Sequence, residues 1–166
     1  MQSINIFEHS EALLKQLSKG AFLNTAAGGR QNTMTIGWGS LGFQWGAPVF
    51  TVMVRQSRYT KELLEQNPVF TVSVPVNGDF AKALGLCGTK SGRDTDKFAA
   101  AGLAAVPAQT VDAPVINGCG LHLECKIVDK KTMEPSLFDK TLAGRWYAQG
   151  DWHTYYTGLI TAAYLE

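Results

Sequence analysis

Short runs of hydrophobic residues, spaced as in β-strands, alternate along the chain with a few stretches of helical spacing. Two β-branched runs, Val49–Val54 and Val69–Val74, are typical of buried strands. Between them lies a predicted helix of about two turns, with Leu63 and Leu64 as its inward face. Residues 8–18 carry apolar side chains at helical intervals and predict a further amphipathic helix.

A hairpin is predicted near the start of the chain. Ala21–Ala26 and Thr33–Trp38 are strand candidates, and Gly28 and Gly29 between them provide turn chemistry. The next stretch, Gly39–Pro48, is broken by glycines and a proline, so we predict a loop. The two aromatic residues of that loop, Phe43 and Trp45, are expected to cover the core as lids.

The second half of the chain predicts two short helices and then strands. The helices are Asp79–Leu86 and Thr95–Ala101, the second capped by Asp94. Residues 107–120 are interrupted by proline and glycine and are expected to be irregular.

Alternation resumes in Leu121–Val128, which predicts a strand with one dry face and one wetter face. Cys125 falls on the dry side and is expected to be a small buried hydrophobe, whereas His122 falls on the wetter side. After a polar, turn-rich stretch, Trp146–Leu165 is strand-prone around Gly158.

Six or seven strands with only short helices predict a mainly β fold, a closed or nearly closed antiparallel barrel with helical decoration. A doubly wound parallel sheet would need a long helix after nearly every strand, and the pattern does not provide those helices. At 166 residues and 45% hydrophobic composition, the chain is expected to form one domain, residues 1–166.

Composition narrows the function classes. A net charge of +1 gives no general attraction to nucleic acid or to an acidic membrane surface. No run approaches the roughly 18 apolar residues of a membrane-spanning helix, and the N-terminus lacks a signal-peptide pattern. Three cysteines without a CxxC pair indicate a reduced chain, so a cytoplasmic location is expected.

The start of the helix after Val49–Val54 is the strongest candidate for ligand binding. A helix start leaves backbone N–H groups unpaired and carries partial positive charge. Here it coincides with hydroxyls and two arginines, a combination that predicts a phosphate site. The residues are Arg55, Ser57, Arg58, Tyr59 and Thr60.

A second polar loop, Cys87–Asp94, is rich in glycine, hydroxyls and cations, which suits an anionic ligand or equally a solvated connection between helices. It does not match the phosphate-loop spacing of nucleoside triphosphatases. The GxGxxG string at 37–42 is followed by a predicted loop and Pro48, which excludes a dinucleotide-binding turn. The three histidines are too far apart to predict a metal site, and no residue stands out as a catalytic nucleophile or base.

Several segments in series resemble one known family. They are NTMTIGWGS, PVFTVMVRQSRYTKELLEQNPVFTVSVP, GTKSGRDTDKF, LHLECKIVDK and HTYYTGLI, which together cover about residues 20–162. The chain resembles the flavin reductase-like, FMN-binding split-barrel family, and within it the flavoredoxin-like branch.

That resemblance implies a six-stranded antiparallel split β-barrel with peripheral helices, which forms a homodimer and holds one FMN per subunit near the interface. It places the flavin ring and its polar edge along Asn32, Met34, Thr35, Ile36, Gly37 and Trp38. The phosphate and ribityl chain would lie at Arg55, Ser57, Arg58, Tyr59 and Thr60, with Lys90, Ser91 and Asp94 approaching from a second loop.

The chain departs from the family pattern before its last strand. Many relatives carry an Asp-His pair there, whereas this sequence has Trp152-His153 with Asp151 one residue earlier. This departure argues against a role for His153 in positioning substrate, and we expect a half-exposed strand histidine; the alternative is a hydrogen bond from His153 to the flavin edge.

Three functional hypotheses follow. The first is an FMN oxidoreductase that takes a hydride from NAD(P)H and passes electrons to free flavin, ferric iron or a redox protein. The second is a flavoredoxin-type electron carrier without NAD(P)H oxidation of its own. The third is a non-enzymatic module that binds another flat ligand such as pyridoxal phosphate or haem. No nucleic-acid or membrane partner is expected.

Overall fold

A computed structural model describes residues 1–166. The strands are β1 (Gln2–Ser3), β2 (Ala21–Ala27), β3 (Arg30–Ile36), β4 (Gly39–Gln44), β5 (Ala47–Arg55), β6 (Val69–Pro75), β7 (Ala105–Pro107), β8 (Pro114–Ile116), β9 (Gly120–Thr132) and β10 (His153–Leu165). The α-helices are α1 (Ser10–Leu17), α2 (Tyr59–Gln66), α3 (Ala81–Thr89), α4 (Lys97–Ala101) and α5 (Lys140–Trp146), with short 3-10 turns at Ile6–His9 and Pro135–Leu137.

One antiparallel sheet dominates the molecule. Its strand order is β3-β2-β6-β9-β10-β5-β4, with β1 added at the end of β10, and β7 and β8 form a separate pair. Eight strands thus share the main sheet, where six were expected in the barrel. The mainly β split-barrel prediction is confirmed, because the sheet is curled but not closed.

The curl is visible in the core. Met34 and Ile36 come from β3, at one end of the strand order, and Phe50 and Val52 come from β5, next to the other end. All four belong to the same cluster of buried side chains. Leu13 and Leu17 of α1 join that cluster, so the amphipathic helix covers the curled sheet.

The prediction of a loop over Gly39–Pro48 was wrong. Gly39–Gln44 is β4, which pairs with β5 through a two-residue turn at Trp45 and Gly46. Both turn residues have positive φ, 51° and 74°, the geometry that suits tight hairpins. The same pairing carries Phe43 and Trp45 into solvent, where they are 65% and 67% exposed instead of covering the core.

The wetter face predicted for β9 is also wrong in its first half. His122 and Glu124 are both fully buried. The segment leading to β8 covers that face, and the Glu124 carboxylate accepts hydrogen bonds from the backbone N–H groups of Gln109 and Thr110 and from the Tyr164 hydroxyl. The free-energy cost of burying the Glu124 carboxylate is offset because its oxygens accept these hydrogen bonds.

The helices follow the predictions with shifted ends. α3 continues through Cys87 to Thr89, and Asp96, not Asp94, caps α4 by accepting from the N–H groups of Phe98 and Ala99. Cys125 is buried as expected, and so are Cys87 and Cys119, all three as free thiols. None of the helices is long and apolar enough to cross a bilayer.

Candidate functional site

Two adjoining pockets open where the ends of the curled sheet meet. The first, which we call the ring cleft, holds about 430 Å³ of space including its open mouth. The second, the anion pocket, holds about 420 Å³, again including its mouth. Met34 and Arg58 line both, so the two form one continuous groove.

The ring cleft is built from strands that are distant in the sheet. Its walls are Met34, Thr35, Ile36, Gly37, Trp38, Met53, Arg55, Arg58 and His153. β3 provides one side and the ends of β5 and β10 provide the other, where His153 pairs with Arg55 in the antiparallel register. Only the curl of the sheet brings these strands together.

The anion pocket lies at the start of α2. Its lining is Met34, Ser57, Arg58, Tyr59, Thr60, Thr89, Lys90, Ser91, Gly92, Arg93 and Lys97. No side chain caps the first turn of α2, so this end of the helix keeps its partial positive charge available. Four cationic side chains line the pocket: Arg58, Lys90, Arg93 and Lys97. Among them only Arg93 forms an ion pair with a carboxylate, that of Glu62.

Lys97 is the most unusual of these cations. It is 5% exposed, and its ammonium donates to the Cys87 carbonyl at 3.2 Å without a carboxylate partner. Burial lowers the pKa of Lys97 to about 8, and the nearby Arg58 charge acts in the same direction, against an opposing effect of the Cys87 thiol. A buried cation without a counter-charge is costly, and an anion in the pocket would offset that cost.

The two predicted arginines have different roles. The Arg58 guanidinium faces both pockets and donates to the Gly88 carbonyl at 3.3 Å. Arg55 instead donates to the carbonyls of Asp151 at 2.9 Å and Trp146 at 3.1 Å, and lies 5.0 Å from the centre of the Tyr147 ring. Arg55 therefore fastens the connection between α5 and β10 over the ring cleft.

Ser57 is held by the same connection. The Asp151 carboxylate accepts from the Ser57 backbone N–H at 2.9 Å and from its hydroxyl at 2.7 Å. Asp151 has a φ of 56°, so the chain makes a left-handed turn to reach this position. A carboxylate thus occupies part of the donor set that the sequence pattern predicts for phosphate.

The outer wall of the ring cleft is aromatic. Trp38 lies beyond the end of β3, is 39% exposed, and packs edge-on against Trp146 at a centroid distance of 4.9 Å. His153 lies 5.5 Å from Trp38 and is only 6% exposed. The expectation of a half-exposed His153 was wrong, because the α5–β10 connection covers it.

The structure brings twelve of the predicted site residues to the groove and leaves two, Asn32 and Asp94, outside it. The Asn32 amide donates to the Thr60 hydroxyl at 2.9 Å, and Asn32 is buried behind Gly92. A Cβ on Gly92 would come within 2.0 Å of Asn32 Oδ1, so the loop closes directly over that side chain. Asp94 lines a different, open depression next to Arg30.

Known proteins share both the sequence pattern and the architecture of this groove-bearing sheet. A family model described as the flavin reductase like domain matches residues 14–166. The chain belongs to the flavin reductase-like family.

Two solved structures show how far this family likeness extends. Flavoredoxin from Methanosarcina acetivorans is 29% identical, with a TM-score of 0.69, and the match covers 89% of this chain and 68% of that one. A Streptomyces globisporus NADH:FAD oxidoreductase is 22% identical, with a TM-score of 0.66, covering 94% and 83%. At that identity the second likeness shows the fold alone.

A curated relative of the flavin reductase-like chain is an uncharacterised protein of Archaeoglobus fulgidus. It is 30% identical over 110 residues, which are 66% of this chain. The match spans 61% of the relative's own length.

Sequence reasoning about this flavin reductase-like chain missed several groove residues. Met53, His153, Thr89, Gly92, Arg93 and Lys97 line the groove but were not predicted. Lys97 follows Asp96 directly inside the GTKSGRDTDKF segment, yet a lysine in the first turn of a helix is usually solvated. Only the packing of α4 against α3 and β3 turns it inward.

Proposed function

We propose that the chain is an FMN-binding oxidoreductase that transfers a hydride from NAD(P)H, through bound FMN, to free flavin, ferric iron or a protein acceptor. One observation carries the proposal: the buried, uncompensated Lys97 lies at the uncapped start of α2, and the pocket that it lines continues into the ring cleft. A terminal dianion joined to a flat ring system matches that arrangement.

The donor set fits the phosphate of FMN. Lys97 and Arg58 provide two cations, and the backbone N–H groups at the start of α2 provide further donors. Lys90 and Ser91 approach from the loop after α3. Because Lys97 is already buried, it loses little conformational freedom when an anion arrives.

The ring cleft fits a flat, amphipathic ring. Met34 and Met53 provide apolar contact, Trp38 provides an aromatic wall, and the backbone around Thr35 to Gly37 lies along the edge. The Thr35 hydroxyl is not available to a ligand as a donor, since it donates to the Leu84 carbonyl at 2.6 Å. Bound FMN would supply the hydride chemistry, while these residues hold the ring and exclude water.

The alternative is a flavoredoxin-type electron carrier, in which FMN exchanges electrons only with proteins. The 29% identity to a flavoredoxin favours it, whereas the match of residues 14–166 to the flavin reductase like domain favours the reductase. Both use the same FMN site, so they differ in whether a nicotinamide reaches the ring. We propose a cytoplasmic location for either form, which the three free, buried cysteines support.

We further propose that two copies associate. β4 ends the strand order, so its outer edge has no partner strand. Phe43 on that strand, Trp45 in the following turn and Phe7, whose ring lies 6.2 Å from that of Phe43, form an exposed aromatic patch. An unpaired edge beside exposed aromatics is typical of an interface, and a second copy is the occupant that the family resemblance implies.

The test begins with purified protein and FMN, followed by anaerobic mixing with NADH or NADPH. We expect yellow protein that releases FMN on denaturation, and rapid bleaching of its absorbance by one of the two nucleotides. Yellow protein that stays oxidised until a reduced protein donor is added would support the carrier instead. Colourless protein that fails to take up FMN would contradict both and favour a module for a different flat ligand.

A further inference from the structure

His153 is the one histidine in the groove, and it occupies the first position of β10. Its two ring nitrogens have different surroundings. Nδ1 lies 2.6 Å from the Tyr147 hydroxyl. Nε2 forms no hydrogen bond within the protein, and the ring lines the ring cleft beside Trp38.

Tyr147 is held firmly in place. It is 6% exposed, its ring stacks on Trp152 at 4.3 Å with an angle of 9° between the planes, and Phe138 packs edge-on against it at 5.5 Å. The Arg55 guanidinium covers the same ring at 5.0 Å. A side chain confined in this way presents its hydroxyl in one position.

The direction of the hydrogen bond follows from the two groups. Burial raises the pKa of the Tyr147 phenol, so its proton stays on oxygen. Burial also lowers the pKa of His153 to about 4, with Arg55 and Arg58 acting in the same direction and Asp151 against them. At neutral pH a phenol therefore faces a neutral imidazole. The Tyr147 hydroxyl has no other hydrogen-bond acceptor within the protein, which makes it the donor to Nδ1.

An imidazole that accepts at Nδ1 must carry its single proton at Nε2. That N–H group has no protein acceptor and the ring lines the open ring cleft, so a ligand atom there can accept from it. Nearby Arg55 and Arg58 provide only further donors, so the ring cleft presents donors on this side. The complementary ligand atom is a carbonyl oxygen or an unprotonated ring nitrogen.

We propose that Tyr147 fixes His153 as the Nε2–H tautomer and thereby gives the ring cleft a permanent hydrogen-bond donor for a carbonyl oxygen or unprotonated ring nitrogen of the bound flavin. Tyr147 is a positioning residue, since it acts through His153. The donor role of His153 rests on the proposed FMN site, whereas its tautomer is a property of the protein alone.

The experiment uses full-length protein with ¹⁵N-labelled histidine, examined by long-range proton–nitrogen correlation NMR at neutral pH. We expect His153 to show the Nε2–H tautomer without any ligand. In Tyr147→Phe the ring stacking remains but the donor is lost, so a mixture of tautomers should appear. Tyr155→Phe makes the same change two residues further along β10 and should leave the His153 tautomer unchanged.

FMN is then added to the same samples. The His153 Nε2–H resonance should move downfield, and Tyr147→Phe should bind FMN about two- to fivefold more weakly, the loss expected for one oriented hydrogen bond. A wild-type Nδ1–H tautomer, or a pure Nε2–H tautomer in Tyr147→Phe, overturns the role of Tyr147. FMN that binds without moving the resonance overturns the donor role and leaves the proposed function intact, whereas failure of FMN to bind overturns both.

Discussion

Lys97 shows how a single buried side chain links stability to ligand binding. Its burial costs free energy when no anion is present, since the ammonium loses water and gains one carbonyl contact. Bound phosphate would provide the missing counter-charge and remove that cost, which would increase the affinity for the ligand. The residue is therefore expected to oppose folding and favour binding at the same time.

Replacing Lys97 with Met tests this conflict. We expect the ligand-free variant to be more stable than wild type by about 1–3 kcal/mol at pH 7. Burial lowers the pKa of Lys97 in the folded wild type, and each pKa unit corresponds to ~1.4 kcal/mol. This gain in stability should stay constant below pH 8. It should shrink as the pH rises from 8 towards 10.5, because over that range Lys97 is neutral in folded wild type but still charged in the unfolded chain. Urea denaturation across this pH range measures it.

FMN affinity should change in the opposite direction. Loss of one charge-assisted contact predicts a decrease of roughly 10- to 100-fold in Lys97→Met, measured by quenching of FMN fluorescence. Lys82→Met, which replaces an exposed lysine on α3, is the matched control and should change neither quantity. An Lys97→Met protein that binds FMN normally would place the phosphate elsewhere.

His153 makes a separate prediction about acid stability. Its folded pKa, about 4, lies below the ordinary value of 6.5, so between these pH values the unfolded chain binds the proton and the folded protein does not. The free energy of unfolding of wild type should therefore fall by roughly 1–3 kcal/mol relative to that of His153→Asn as the pH falls from 6.5 to 4. Above pH 6.5 the difference should be constant.

Denaturation of both proteins at several pH values measures this difference. The groups that face His153 are Arg55 from β5, Arg58 at the start of α2, Asp151 and Tyr147, and all are present in both proteins. His122, whose pKa burial also lowers, is likewise common to both, so its effect cancels. His9→Asn is a control outside the groove, and parallel curves for all three proteins would show that His153 titrates normally.

At the scale of elements, glycine has opposite effects in a turn and in a helix. Gly46 has a φ of 74° in the β4–β5 turn, and Gly85 lies within α3 at ordinary φ. A Cβ at either position would meet nothing within 4 Å, so packing does not enter the comparison. Only backbone preference remains.

Replacement by Ala should therefore change the free energy of unfolding in opposite directions at the two positions. Gly46→Ala should destabilise the protein by about 1 kcal/mol, because a left-handed conformation is costly with a Cβ. Gly85→Ala should stabilise it by up to about 1 kcal/mol, because Ala is the better helix former. Equal effects of the two substitutions on the denaturation midpoint would contradict the turn geometry of β4 and β5.

At the scale of the whole molecule, the curled sheet leaves β4 as a free edge beside the aromatic patch. If two copies meet there, a lysine at Phe43 should bury an unpaired charge in the interface and separate them. Light scattering after gel filtration should give twice the 18.0 kDa chain mass for wild type and the single chain mass for Phe43→Lys.

The control for that measurement is Leu137→Lys, which replaces an 83% exposed apolar residue beyond the end of β9. It should leave the mass unchanged. A wild-type monomer would refute the proposed homodimer. A Phe43→Lys protein that is still dimeric would move the interface to another face.

The order and type of most elements were determined by the sequence, because they depend on local periodicity and turn chemistry. β5, α2 and β6 appear as predicted, and so does the hairpin of β2 and β3 around Gly28 and Gly29. The segments that carry the family resemblance also fixed most of the groove, since twelve predicted residues line it.

What only the tertiary structure decided depends on contacts between segments far apart in the chain. β4 was missed because a glycine-rich stretch becomes a strand only when β5 pairs with it. His122, His153 and Lys97 look solvated in sequence, but distant segments cover each of them. Burial and charge at the groove arise from the curl of the sheet, and no local pattern of residues encodes that long-range approach.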